Sequence, residues 1–203
     1  MKPLLRFTVT VIIVMMVSSC GTGQKKLFDG KSLEGWECKP PELASHWKVK
    51  EGKILHGENP DEKGSILWTT DEYTDYELEL DYQALTDDYD SGVFPRGEGT
   101  QVQIGISRSL QRDMTACIYA PKDDQGAYPG QTDKVSEFHR PGEWNHLRII
   151  VTGQRIQTFL NGEPFVDYES VTMNEKGPVG LQLHPNVHMA MQFRNITIKE
   201  TGM

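Results

Sequence analysis

Polar side chains recur at every second position in two short segments of this chain, two glutamines in one and a glutamine and a histidine in the other. Gln101 and Gln103 alternate with Val102 and Ile104, and Gln182 and His184 alternate with Leu181 and Leu183. A period of two puts alternate side chains on one face of a β-strand. Each segment therefore shows an amide-bearing face opposite an apolar one. Amides offer donors and acceptors together, and His184 adds an imidazole, the side-chain type suited to acid–base chemistry at physiological pH. If the sheet carrying these strands curves, the shared polar face becomes a concave trough. Such a trough suits a sugar, whose hydroxyls need paired hydrogen-bonding groups and an aromatic surface or two. A third segment, Glu77-Leu78-Glu79-Leu80-Asp81, puts three carboxylates on one face. Neighbours at i and i+2 stand roughly 6.5–7 Å apart on a strand, within the range of paired-carboxylate chemistry. A solvated outer face explains that pattern at less cost. Asp87-Asp88-Tyr89-Asp90-Ser91 is rich in oxygen ligands but lacks the spacing of a calcium loop, and it reads as a solvated turn.

These segments need a scaffold, and the rest of the chain supplies strands for one. Amphipathic helices are absent, and short alternating runs recur between Gly, Pro, Asn and Asp turns, which is the pattern of an all-β sandwich or barrel. Residues 47–50 and 53–56 form a hairpin around Glu51-Gly52, and Asn161-Gly162 is the strongest short hairpin signal in the chain. Residues 76–84 alternate cleanly, and residues 144–151, 155–160, 179–184 and 189–199 read as further strands. The stretch 122–141 is weakly patterned and rich in Asp, Gly, Pro and Gln; a loop of that length in a compact domain is often functional.

Composition narrows the function classes. The chain has 203 residues, with 21 Lys and Arg against 29 Asp and Glu, a formal net charge of −8. That size fits one domain with a sizeable core. The acidic balance argues against nucleic acid as a partner. Lys2 and Arg6 precede a short apolar run over residues 8–17, followed by Val17-Ser18-Ser19-Cys20. This is the anatomy of a secretory signal, and its last four residues resemble the lipobox of bacterial lipoproteins. Residues 1–19 are then a signal peptide, Cys20 the acylated first residue, 20–26 a tether and 27–203 a single sandwich domain. The implied location is outside the inner membrane, lipid-anchored, with the outer membrane as the expected site. Export permits a disulfide between Cys38 and Cys117; a buried free thiol at Cys117 is the alternative.

Several motifs occur in a fixed order: Leu27-Phe28-Asp29-Gly30-Lys31-Ser32-Leu33-Glu34-Gly35-Trp36, Trp47-Lys48-Val49-Lys50-Glu51-Gly52, Asp90-Ser91-Gly92-Val93-Phe94, Gly142-Glu143-Trp144-Asn145, Gly177-Pro178-Val179-Gly180-Leu181-Gln182-Leu183-His184 and Phe193-Arg194-Asn195-Ile196. Together they resemble the 3-keto-disaccharide hydrolase domain family over residues 27–200. The resemblance implies a concanavalin A-like jelly-roll sandwich of two antiparallel sheets and activity on 3-keto-glycosides. A C3 ketone acidifies the C2 proton; a base removes it, the C1 substituent leaves by elimination, and water adds later. This route needs a general base, an electrophile for the developing oxyanion and groups that hold the sugar.

The strand faces give His184 and the glutamines their expected roles, and the resemblance gives those of Arg96, Asp81 and Tyr119. His184 is the base. Arg96 or a divalent cation is the electrophile, no cofactor being certain. Asp81 orients the base or binds the cation. Gln101, Gln103 and Gln182 bind the sugar, and Tyr119 offers its hydroxyl or ring, with core packing as the competing reading. The sequence departs from its relatives at Gln101, where a glutamate is usual, at Leu183 (aspartate), Asp90 (asparagine) and Pro185 (glycine). A non-catalytic carbohydrate-binding module of the same fold is the alternative function.

Overall fold

The computed structural model describes residues 23–120 and 126–202. The signal segment and Cys20 lie outside the described residues. In chain order the strands are β1 (Lys25–Lys26), β2 (Trp36–Lys39), β3 (Trp47–Lys50), β4 (Ile54–Glu58), β5 (Ser65–Tyr73), β6 (Tyr76–Ala84), β7 (Asp90–Phe94), β8 (Gln101–Ser107), β9 (Arg112–Asp113), β10 (Ile118–Tyr119), β11 (Asn145–Thr152), β12 (Arg155–Leu160), β13 (Glu163–Glu169), β14 (Gly177–Leu183) and β15 (Ala190–Glu200). One sheet has eight strands in the order β13-β12-β11-β6-β15-β4-β3, with β1 also paired to β15. The other has seven, in the order β10-β8-β7-β14-β5-β2, with β9 also paired to β8. All pairings between strands are antiparallel. The all-β, two-sheet architecture expected from the sequence is the observed one. No helix among the described residues is long and apolar enough to cross a membrane.

The alternation of β6 becomes burial directly. Tyr76, Leu78, Leu80 and Tyr82 are fully buried, while Glu77, Glu79, Asp81 and Gln83 face outward. Leu147, Ile149 and Val151 from β11 and Phe193 and Ile198 from β15 cover the same side. Val93, Val102, Ile104, Leu181 and Leu183 answer them from the seven-stranded sheet. Each such aliphatic side chain contributes roughly 1.5–3 kcal/mol when fully buried. Turn chemistry fixes the registers. Gly52 and Lys53 both take positive φ (77° and 63°) and set Val49 opposite Leu55. Asn161 and Gly162 do the same (51° and 89°) between β12 and β13. Cys38 and Cys117 are free thiols, and burial pushes the Cys117 thiol up to about 11.

Among its described residues the long weakly patterned stretch contains one helical turn, Val135–Phe138, and His139 follows it. His139 is buried and pairs through Nδ1 with the Asp113 carboxylate, while its Nε2 faces the Tyr89 hydroxyl at 3.3 Å. Thr115 Oγ1 donates to Asp113 Oδ1 at 2.6 Å. Burial alone would raise the Asp113 carboxyl; the hydrogen bonds from His139 and Thr115 outweigh it and hold the group below the usual carboxylate range. The folded value is depressed. Its stabilisation is therefore complete above the unfolded value of about 3.9 and is lost as pH falls through the lower folded value. Asp113→Asn is expected to cost about 1.5–3 kcal/mol at pH 7, the usual range for a hydrogen bond to a charged group. In denaturant titrations the gap to the wild type should close below about pH 4; a gap constant with pH would show that the pair carries no such linkage.

Candidate active site on the seven-stranded sheet

The outer face of the seven-stranded sheet gathers five of the expected residues into one place. Gln101, Gln103, Gln182, His184 and Tyr119 line a single cavity of about 290 Å³, with Asp90, Phe94, Arg108, Ser109 and Tyr128. Register explains the gathering. Gly92 stands opposite Gln103, Tyr119 opposite Gln101, and Leu181 opposite Val93, which sets Gln182 beside Gly92. Gly92 supplies the depth: a Cβ there would come 2.0 Å from Gln101 Nε2. Gly180 does the same further along, where a Cβ would meet the Trp68 ring at 2.4 Å. Trp68 then packs against Phe94, ring centroids 5.4 Å apart.

The glutamines form a chain. Gln101 Nε2 donates toward Gln182 Oε1 (3.0 Å), Ser91 O (3.1 Å) and Gln103 Oε1 (3.3 Å). Gln103 Nε2 donates to Asp90 Oδ1 at 2.8 Å. Asp90 is 5 % exposed, and its second oxygen lies 3.9 Å from His184 Nε2. His184 Nδ1 meets Pro185 O at 2.6 Å. A carbonyl only accepts, so Nδ1 carries the hydrogen, and Nε2 faces Asp90 and the trough. The His184 backbone is held by Asn59, which is fully buried: its Nδ2 donates to His184 O (3.0 Å) and its Oδ1 accepts from Met189 N (2.9 Å). Tyr128 stands beside Tyr119, centroids 5.2 Å apart. Burial pushes the Tyr128 phenol above its usual value, so it remains a hydroxyl donor at neutral pH. Tyr119 is 38 % exposed, so it belongs to the trough wall and not to the core.

Two expected site residues lie elsewhere. Arg96 is 1 % exposed and points away from the trough, into the joint between loops. Its Nε and Nη2 donate to Thr74 O, its Nη1 to Gly153 O (2.8 Å) and Asn174 O (3.2 Å), and Nη2 also pairs with Asp75 (3.0 Å). Asp81 sits on β6, in the other sheet, on its outer face. His146 (2.9 Å) and Asn195 (2.7 Å) donate to its two oxygens, with Arg194 at 3.2 Å. Burial would raise the Asp81 carboxyl, but these donors hold it below the usual range, ionised and fully engaged. Arg194 in turn lies over the Trp144 ring, 3.9 Å from its centroid.

Among the trough residues that the sequence does not single out are Tyr128, which lies in the weakly patterned stretch, and Asp90. Asp90 stands in an Asp-rich segment that reads as a solvated turn, and only the β7–β8 register turns it inward beneath Gln103. Among the described residues it is the sole carboxylate lining the trough, and no group of three or more His, Cys, Asp or Glu side chains is placed to hold a metal ion. The donor set does not form a cation cage, since Asp90 Oδ1 is already taken by the Gln103 amide.

Fold and site together define a two-sheet, lectin-type sandwich with a polar trough on one sheet. Solved structures share that fold. Two candidate glycosyl hydrolases from Parabacteroides distasonis ATCC 8503 superpose with TM-scores of 0.64 and 0.63, at 18% and 24% identity, covering 89% and 88% of this chain and 94% and 100% of theirs. The exoplasmic/lumenal domain of VIP36, in its Ca2+/Man3GlcNAc-bound form, superposes at 0.61 with 9% identity, covering 90% of each chain. No curated protein matches the chain. The family model for the 3-keto-alpha-glucoside-1,2-lyase-like domain matches residues 23–199, and the chain belongs to that family.

Proposed function

We propose that the trough binds a 3-keto-glycoside and cleaves it by elimination, with His184 as the base. The observation that carries this reading is the His184 imidazole: its Nδ1 hydrogen is engaged by Pro185 O, and its Nε2 faces Asp90 across 3.9 Å in a glutamine-lined cavity. The Nε2 lone pair takes the C2 proton. The C2–H electron pair forms the C2–C3 double bond, and the ketone oxygen becomes the oxyanion. Asp90 stabilises the imidazolium, as a carboxylate beside a histidine does. The oxyanion needs preorganised donors; the Tyr128 hydroxyl and the Gln182 amide nitrogen, which has no protein acceptor among the described residues, are assigned that role in place of Arg96. As the C2–C3 electrons reorganise and the ketone re-forms, the C1–O bond breaks. The leaving alkoxide takes the proton back from the imidazolium. Water then adds across the resulting enone, giving the free 3-keto-sugar. No step is routed through a cation.

The test is release of 3-keto-glucose from 3-keto-trehalose and from a 3-keto-β-glucoside. Turnover of either supports the reading. Sugar binding with no turnover of either gives a binding module instead. Gly92→Ala probes the floor of the trough separately. The added methyl must displace Gln101 and its bonds to Gln103 and Gln182. Calorimetry should show sugar affinity reduced about tenfold, equal to about 1.4 kcal/mol; unchanged affinity would remove Gln101 from the site. The location we propose, exported and tethered through lipid on Cys20, rests on the pattern of residues 1–20 alone and is checked by metabolic labelling with a fatty acid, which Cys20→Ser should abolish.

A further inference from the structure

The central cavity is one of three in a row. A second, of about 260 Å³, lies beyond Gln182 and is floored by Ile66, with Lys39 and Pro185 at its edge. A third, of about 200 Å³, lies on the opposite side, behind Phe94 and Tyr119, and reaches Thr100. The cavities share walls: Gln182 belongs to the first and second, and Phe94, Gln101 and Tyr119 to the first and third. The pairing explains the row. Lys39 stands opposite Ile66, and Ile66 opposite Gln182. Gln101 stands opposite Tyr119 at the far side. Six strands cross beneath, and five spacings of roughly 4.8 Å give roughly 24 Å of continuous floor. The chemistry is graded along it. The middle holds His184, Asp90 and the amides; each flank offers a hydrophobic face, Ile66 and Pro185 on one side and Phe94 and Tyr119 on the other. A polar centre between apolar platforms matches a chain of sugars, whose rings are hydrophobic above and below and polar at the rim.

We propose that the trough holds three consecutive sugar units, with the oxidised unit in the middle cavity, so that its substrates are oligosaccharides carrying an internal 3-keto unit. This rests on the trough being the carbohydrate site. A disaccharide occupies the centre and one flank and leaves the other flank open.

Unoxidised gluco-oligosaccharides test it without depending on catalysis. Calorimetry would titrate glucose and the malto- and cello-series of two, three and four units into the wild-type protein. In at least one series the affinity should rise about tenfold at each step up to three units, about 1.4 kcal/mol per step, and level off at four. Ile66→Trp fills the second cavity and should erase one of the two steps while leaving the other. Lys39→Trp, at an exposed position on the same cavity, serves if Ile66→Trp does not fold. Affinity that stops rising at two units in both series would overturn the proposal, as would an Ile66→Trp loss equal for every length. Absence of any binding overturns the carbohydrate trough itself. Stepwise binding with no turnover of 3-keto substrates leaves the three-unit trough standing as that of a binding module and removes the cleavage.

Discussion

His184→Ala should reduce release of 3-keto-glucose by at least about 10²-fold, the usual contribution of a positioned general base. Substrate affinity should change much less, because the amides of Gln101, Gln103 and Gln182 remain in place. The loss should therefore fall on kcat, with KM nearly unchanged. Asp90→Asn separates base from partner. It keeps a side chain of the same shape beneath Gln103 but removes the charge 3.9 Å from His184 Nε2. A smaller loss in Asp90→Asn than in His184→Ala is the expected order. Equal activity in His184→Ala and wild type would remove His184 from the chemistry.

Arg96→Ala should damage the fold far more than the site. The guanidinium is buried and serves Thr74 O, Gly153 O, Asn174 O and Asp75 at once. Its removal takes the donor from three carbonyls and the cationic partner from Asp75, which keeps the Gly153 N–H, in the joint between β5–β6, β11–β12 and the segment before β14. Truncating one partner of a buried ion pair costs about 3–5 kcal/mol, which for a domain of this size lowers Tm by roughly 10 °C or more. Arg96→Lys should rescue little, because an ammonium cannot reproduce the planar fork that reaches several acceptors. Thermal melts of the two variants check this. A Tm within two or three degrees of wild type, with activity lost, would return Arg96 to the catalytic machinery.

The sequence read well wherever the information was local. Alternation over residues 76–84 matches β6 residue for residue, and the glycine turns at 52 and 162 lie where the hairpins close. The glutamine faces were legible for the same reason, since period two is a property of one strand. Which sheet a strand joins is not. Asp81 was correctly placed on an outer face, yet β6 pairs with β11 and β15, so that face belongs to the opposite sheet from His184. The placement of Arg96 away from the trough was not legible for a related reason: its backbone acceptors lie 22, 57 and 78 residues away, and no local pattern announces them. Asp90 was hidden by composition. Three aspartates in five residues look like a solvated turn. Asp88 does face solvent, paired with Arg108 at 3.0 Å, while Asp90, two residues on, begins a strand and turns inward. Tyr119 sits in a two-residue strand, too short for periodicity to choose its face.

The central claim is that cleavage begins with loss of the C2 proton to His184. Running the reaction on a 3-keto-glycoside in deuterated water, with a protein-free control for spontaneous exchange, tests it directly by proton NMR of the product. Deuterium at C2 of the released 3-keto-sugar, dependent on the wild-type protein and absent with His184→Ala, is the expected result. Cleavage with the C2 proton fully retained would contradict the account, since a direct displacement at C1 never touches that bond.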